Sequence, residues 1–287
     1  MLRFRVNLDR ADAPLPAIGG EAGPRRLVNW CFMPQLLDGK TALILGVANK
    51  WSIAYAIAQA FRREGAKLLL TYQGERLKQT VEELGGELGA ARVFNCDVSK
   101  DTDLARLTET VAKEGRLDVV VHSIAFANRE DLDRPFVETS RAGFAIAQEI
   151  SSYSMVAVAR ATAPLMTDGG SMITLTYLGS TRVLTNYNVM GVAKASLEAS
   201  VRYLASELGP QRIRVNAISA GPIKTASARG VKDFSKMLQA GVERAPFRRA
   251  TDPAEVADAA VFLASDLGRG VTGDVLFVDA GFHIMGL

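Results

Sequence analysis

Short apolar runs alternate with amphipathic stretches from Leu36 onward. Runs at 41–46, 67–72, 92–96, 118–122, 171–176, 214–218 and 274–278 read as strands. Runs this apolar suit strands covered on both faces of a parallel sheet. Between them the spacing predicts helices over 52–64, 76–84, 102–113, 141–163, 187–208 and 253–265. Strand and helix alternating this often predict an α/β fold. It is a single-domain, Rossmann-type doubly wound parallel sheet of about seven strands, with helices on both faces and right-handed crossovers. Such sheets bind ligands beyond the carboxyl ends of their strands, where strand order reverses. The residues just after each strand are therefore the ones to inspect.

Residues 1–33 break the pattern, mixing Arg, Pro, Gly and Asp without periodicity. They read as a disordered N-terminal extension, or as a start placed too early with Met33 the true one. The reductase-like alternation then occupies 34–287, with no internal repeat. With 48% hydrophobic and 23% charged residues, the chain fits a soluble globular protein with an ample core. A net charge of +3 gives no reason to expect nucleic acid or a membrane surface as partner. No apolar run is long enough to span a bilayer. Cys31, Cys96, His122 and His283 are isolated from one another, so neither a disulfide framework nor a metal site is expected. A reducing, cytoplasmic compartment follows from that cysteine usage.

The first strand runs into Gly46-Val47-Ala48-Asn49-Lys50-Trp51-Ser52-Ile53-Ala54 and then a helix. A small-residue turn opening a helix can cradle a phosphate, because glycine turns tightly and free N–H groups attract anions. The G-x-G-x-x-G fingerprint is absent, and Ser52 serves equally well as a plain N-cap. After the second strand stands Gln73, which can hydrogen-bond ribose hydroxyls without repelling a 2′-phosphate. Asp97 and Val98 follow the third strand and can grip the two edges of an adenine. Ser123 and Ile124, in Ser123-Ile124-Ala125-Phe126-Ala127, follow the fourth. The turn Ser219-Ala220-Gly221-Pro222-Ile223-Lys224-Thr225 can present backbone groups to a nicotinamide amide, with Thr225 reaching a pyrophosphate. His122 reads as a packed residue rather than a catalyst.

Tyr177 ends the fifth strand; Tyr187 stands ten residues on and Lys194 seven beyond that. Seven residues are almost two helical turns, so Tyr187 and Lys194 share a face to within about 20°. An ammonium nearby is expected to lower the phenol's pKa and strengthen it as a donor to a carbonyl oxygen gaining charge. Lys194 and Glu198 can equally form a plain surface pair. The helix is apolar on most sides, which predicts a second subunit against its outer face.

Taken together, these motifs resemble the short-chain dehydrogenase/reductases, in particular the divergent branch of bacterial NADH-dependent enoyl-(acyl-carrier-protein) reductases. The resemblance covers roughly 33–287. It rests on the Gly46–Ser52-Ile53-Ala54 loop, Gln73, Asp97-Val98, the Ser123 to Ala127 segment, Tyr177-Leu178-Gly179, the Asn186 to Lys194 segment and the Ser219 to Thr225 turn. Ordinary members carry more loop glycines and a serine thirteen residues before the tyrosine, where this chain has Thr174. The resemblance implies reduction of a trans-2-enoyl thioester on acyl carrier protein, with NADH favoured over NADPH. It makes Tyr177, Tyr187 and Lys194 the catalytic residues: Tyr187 the donor to the thioester oxygen, Lys194 the ligand of the nicotinamide ribose and holder of the local positive charge, and Tyr177, lining the acyl site with Ala127, an aid to protonation. It adds a substrate lid around 226–238 and a homotetramer. The leader, and Asn128 where a proline often stands, depart from the branch's pattern. A ketoreductase of the same superfamily and a nicotinamide-sensing binding protein are the alternatives; Tyr177 and Thr174 speak against the first, retention of Tyr187 and Lys194 against the second.

Overall fold

Side-chain alternation along the first strand, β1 (Thr41–Leu45), explains why helices cover both faces of the sheet. Ala42 and Ile44 belong to one buried cluster, Leu43 and Leu45 to another. In the computed structural model, which describes residues 35–225 and 233–286, the chain continues through α1 (Ile53–Arg63), β2 (Lys67–Tyr72), α2 (Glu75–Leu88) and β3 (Arg92–Asn95). Next come α3 (Asp101–Ala112), β4 (Val119–His122), α4 (Arg129–Asp133), α5 (Arg141–Gln148) and α6 (Ser154–Thr162). Then follow β5 (Gly170–Thr176), α7 (Asn188–Leu208), β6 (Ile213–Ala220), α8 (Phe234–Arg244), α9 (Pro253–Ala264) and β7 (Val275–Val278). The seven strands form one parallel sheet in the order β3-β2-β1-β4-β5-β6-β7. The order reverses between β1 and β4, which locates the ligand crevice at their carboxyl ends. Residues of α1, α2 and α9 pack into the first cluster, and those of α3, α6 and α7 into the second.

The seven expected strands are present, but β3 and β7 are sheet edges and only partly buried, so burial on both faces holds for the inner strands alone. Two helix expectations need correction. The second helix was expected to stop at Leu84, before Gly85-Gly86, yet α2 continues to Leu88 and ends on Gly89 in the left-handed conformation. Gly85 is there for proximity: a Cβ on it would lie 2.3 Å from Val93 Cγ2 on β3. The helix expected over 141–163 is interrupted by a π-helical turn, Glu149–Tyr153, between α5 and α6. The leader 1–33 and the first part of the expected lid, 226–232, lie outside the described residues; the remainder of the lid enters α8, a helix the periodicity did not reveal. Among the described residues no helix is long and apolar enough to cross a membrane.

Candidate active site

A cavity of about 300 Å³ opens at the carboxyl ends of β5 and β6. Its walls bring together Ile53, Ala127, Tyr177, Tyr187 and Lys194 with Gly221, Ile223 and Thr225 of the turn after β6. These residues come from five separate stretches of chain. The remaining expected cofactor residues lie outside that cavity, at the ends of other strands. Gly46 closes β1 with φ +96°, and a Cβ there would sit 2.1 Å from the Ser123 carbonyl oxygen and 3.5 Å from Ile124. Gln73 hydrogen-bonds the Asp97 side chain, joining the ends of β2 and β3. Asp97 also accepts from the Ser99 hydroxyl at 2.7 Å, and Val98 is buried. Ser52 caps α1, donating to the Asn49 carbonyl and accepting from the Tyr55 N–H. The cap leaves earlier N–H groups of the first turn without intrahelical partners, which suits an anion at this end.

Tyr187 is the N-cap of α7 rather than its first helical residue, and the flanking Asn186 and Asn188 both have positive φ. This tight entry turns the Tyr187 ring onto Gly179, where a Cβ would come within 2.4 Å of it. The ring meets Tyr177 edge-on, with centroids 5.1 Å apart and planes at 75°. The Tyr177 hydroxyl donates to Met237 Sδ at 3.2 Å, whereas the Tyr187 hydroxyl has no hydrogen-bond partner among the described residues. Lys194 is 5% exposed and donates to the Leu175 carbonyl at 2.7 Å.

The electrostatics correct one expectation. Tyr187 is not acidified by Lys194: burial pushes its pKa well above that of an ordinary phenol, and Tyr177 and Glu198 add to the rise. Burial pushes Lys194 down to about 8, with the Glu198 carboxylate acting the other way. Tyr187 is thus a neutral O–H donor, and Lys194 a cation only just maintained at neutral pH. The surface-pair reading of Lys194 and Glu198 is also set aside, because both are buried and Glu198 accepts from Thr176 instead.

The π-helical turn braces Phe126, one of the cavity walls, from behind. Ser151 holds Phe126 by both its N–H and its carbonyl, each at 2.9 Å. Ser152 donates to Ser196 of α7. The Ser154 hydroxyl donates to the Ile150 carbonyl and so accepts from His122 Nε2 at 2.8 Å, while His122 Nδ1 faces the Thr174 hydroxyl at 2.9 Å. Thr174 therefore points into the protein and not into the cavity. Burial, with Lys194 adding to it, lowers His122 to about 3 from the usual 6.5. The stability it contributes is complete above pH 6.5. Below that the unfolded chain alone takes up the proton, so about 1.4 kcal/mol is lost per pH unit down to the folded value. Urea melts from pH 7 to 5 should show this slope in the native chain and a shallower one in His122→Gln.

The sequence reading missed several cavity walls: Arg129 and Leu132 on the five-residue α4, Met190 on α7 and Met237 on α8. Met190 was discoverable, since it lies one turn beyond Tyr187; α4 is too short to show a period. Among the described residues, no group of three or more His, Cys, Asp or Glu could hold a metal ion.

A doubly wound parallel sheet with a phenol and an ammonium group facing one crevice defines a Rossmann-type reductase. Residues 46–283 match the family described as enoyl-(acyl carrier protein) reductase. The chain is 56% identical to the NADH enoyl-(acyl-carrier-protein) reductase of Bacillus cereus over 255 residues, 88% of this chain and 100% of the relative. It is 51% identical to the NADPH enzyme of Staphylococcus aureus over 250 residues, 86% of this chain and 98% of the relative. The crystal structure of the Bacillus cereus reductase with NADP+ and indole naphthyridinone superposes with a TM-score of 0.87 at 57% identity, covering 88% of this chain and 100% of that one. This chain belongs to the enoyl-(acyl-carrier-protein) reductase family.

Proposed function

We propose that this chain reduces trans-2-enoyl thioesters carried on acyl carrier protein to saturated acyl thioesters, with NADH as reductant, in fatty-acid elongation. The observation that carries the reading is the part-buried Tyr187 side chain, its hydroxyl without a protein hydrogen bond among the described residues, on the wall of an apolar cavity that it shares with Tyr177 and Lys194. When bound, the dihydronicotinamide supplies the hydride that adds to the substrate's β-carbon.

The crevice suits that cofactor. Gly46 lets the chain pass close to Ser123; at the start of α1 the Ile53 N–H and the Ser52 hydroxyl would hold a pyrophosphate, with Thr225 on the same cavity wall as Ile53. Gln73 would take ribose hydroxyls, Asp97 and Val98 the adenine, and Ser123 and Ile124 would line the path between. Gly221 and Ile223 present backbone groups to the nicotinamide amide. Lys194, which here donates to the Leu175 carbonyl, would hold the nicotinamide ribose. Tyr187 donates its hydrogen bond to the thioester oxygen as enolate charge develops there. Tyr177 and Ala127 line the acyl chain's path, and Tyr177 assists proton delivery to the α-carbon.

The deciding experiment is a steady-state assay with crotonyl and acetoacetyl thioesters, each with NADH and NADPH. Turnover of crotonyl thioester with NADH is the expected result; turnover of acetoacetyl thioester alone defeats the proposal in favour of a ketoreductase. Lys194→Ala should weaken NADH binding roughly 10- to 100-fold at pH 7, the usual worth of a charge-assisted hydrogen bond. Nicotinamide fluorescence titration measures it.

The same reading assigns 34–287 to the reductase domain and places the protein in the cytoplasm as a homotetramer. Support for assembly comes from the outer face of α7, where Val192 and Tyr203 are exposed, Tyr203 by 80%. Sedimentation at micromolar concentration should give an oligomer; monomer alone would remove this part of the proposal.

A further inference from the structure

Three successive residues at the end of β5 each meet a residue of the catalytic helix. The Leu175 carbonyl accepts from Lys194 at 2.7 Å. The Thr176 hydroxyl donates to Glu198 Oε1 at 2.6 Å. The Tyr177 ring packs edge-on against Tyr187. Lys194 and Glu198 are one helical turn apart, so the first two bonds form a two-rung ladder between strand and helix. Glu198 is a carboxylate only 7% exposed, and the proposed reaction gives it nothing to do. Burying a charged group is costly unless the charge is used or compensated.

We propose that Glu198 is a positioning residue for Lys194: it locks the end of β5 to α7 and supplies the buried negative charge that balances the Lys194 ammonium group. When Lys194 releases Leu175 to reach a ribose, the Thr176–Glu198 bond is the rung that remains, and Tyr177 stays against Tyr187. The charge matters because no other group among the described residues nearby provides it. His122 on β4 is buried and neutral, and Tyr177 and Tyr187 are neutral phenols. Asp131 on α4 accepts from the Ser140 N–H, and Asp279 beyond β7 is engaged by His283. Glu198 alone raises Lys194 against the lowering effect of burial. This proposal takes the cofactor role of Lys194 from the preceding section, but its direct test does not depend on that role.

Glu198→Gln keeps the size of the side chain and an acceptor for Thr176 while removing the charge. In protein labelled with 15N-lysine and free of NADH, the midpoint of Lys194 followed by NMR should fall by about one pH unit or more relative to the native chain. The alkaline limb of NADH binding should move down with it, leaving affinity at pH 6 within about threefold of native, by conversion of a weak residual effect. An unmoved Lys194 midpoint overturns the proposal, as does a loss of NADH affinity that is uniform across pH. If Lys194→Ala leaves NADH affinity intact, the cofactor reading of Lys194 fails, and the NMR midpoint still decides the role of Glu198.

Discussion

Tyr187→Phe is expected to lower kcat for crotonyl thioester about 10²- to 10³-fold, the usual effect of deleting one preorganised donor to a developing oxyanion. NADH affinity should stay within about twofold, because the substitution removes only the hydroxyl. The ring would stay in place: Gly179 receives it with no side chain of its own, and Tyr177 holds its edge. Desolvation holds the Tyr187 phenol well above the ordinary range, so the native enzyme should show no loss of kcat from Tyr187 ionisation at any pH below 10. Stopped-flow binding and steady-state turnover on the same preparation separate the two effects. Unchanged turnover would contradict the role assigned to Tyr187. A matching loss of NADH affinity would move that role to cofactor binding.

That prediction needs a structure, because sequence reasoning gave the wrong sign for the phenol. Spacing alone brings Tyr187 and Lys194 to one face, and the structure puts both on one cavity. It could not show that Lys194 spends its hydrogen bond on Leu175, or that burial outweighs the ammonium's pull on Tyr187. Desolvation depends on everything packed around a group, and no local pattern records it. The inner strands were legible because each is a short apolar run with no competing helical period. The π-helical turn was not, since Glu149 to Tyr153 continues an acceptable helical pattern. Its reason is tertiary: Ser151 and Ser152 within it, and Ser154 directly after it, each find a partner on a different stretch of chain. Glu198 illustrates the same limit. Its position four residues after Lys194 was visible, but a surface pair and a buried strap to Thr176 have the same spacing.

Gly46→Ala should be the most damaging single-atom addition near the site. A methyl carbon there would lie 2.1 Å from the Ser123 carbonyl oxygen and 2.8 Å from its carbon, both backbone atoms that cannot swing aside. The φ of +96° adds strain for any residue with a Cβ. Relief requires β1 and β4 to part just where the Ser123 N–H bonds the Leu45 carbonyl at 3.1 Å. Together, overpacking and backbone strain should cost about 2–5 kcal/mol. For a domain of this size that is a fall in Tm of roughly 5–15 °C. Because the displaced segment runs from Ser123 towards Phe126 and Ala127, NADH affinity should fall in protein that still folds. Calorimetry and fluorescence titration on Gly46→Ala read the two quantities separately. A native-like Tm would mean that β1 and β4 can yield at the crevice. Lost stability with intact NADH affinity would remove Gly46 from the cofactor path and leave it a packing residue.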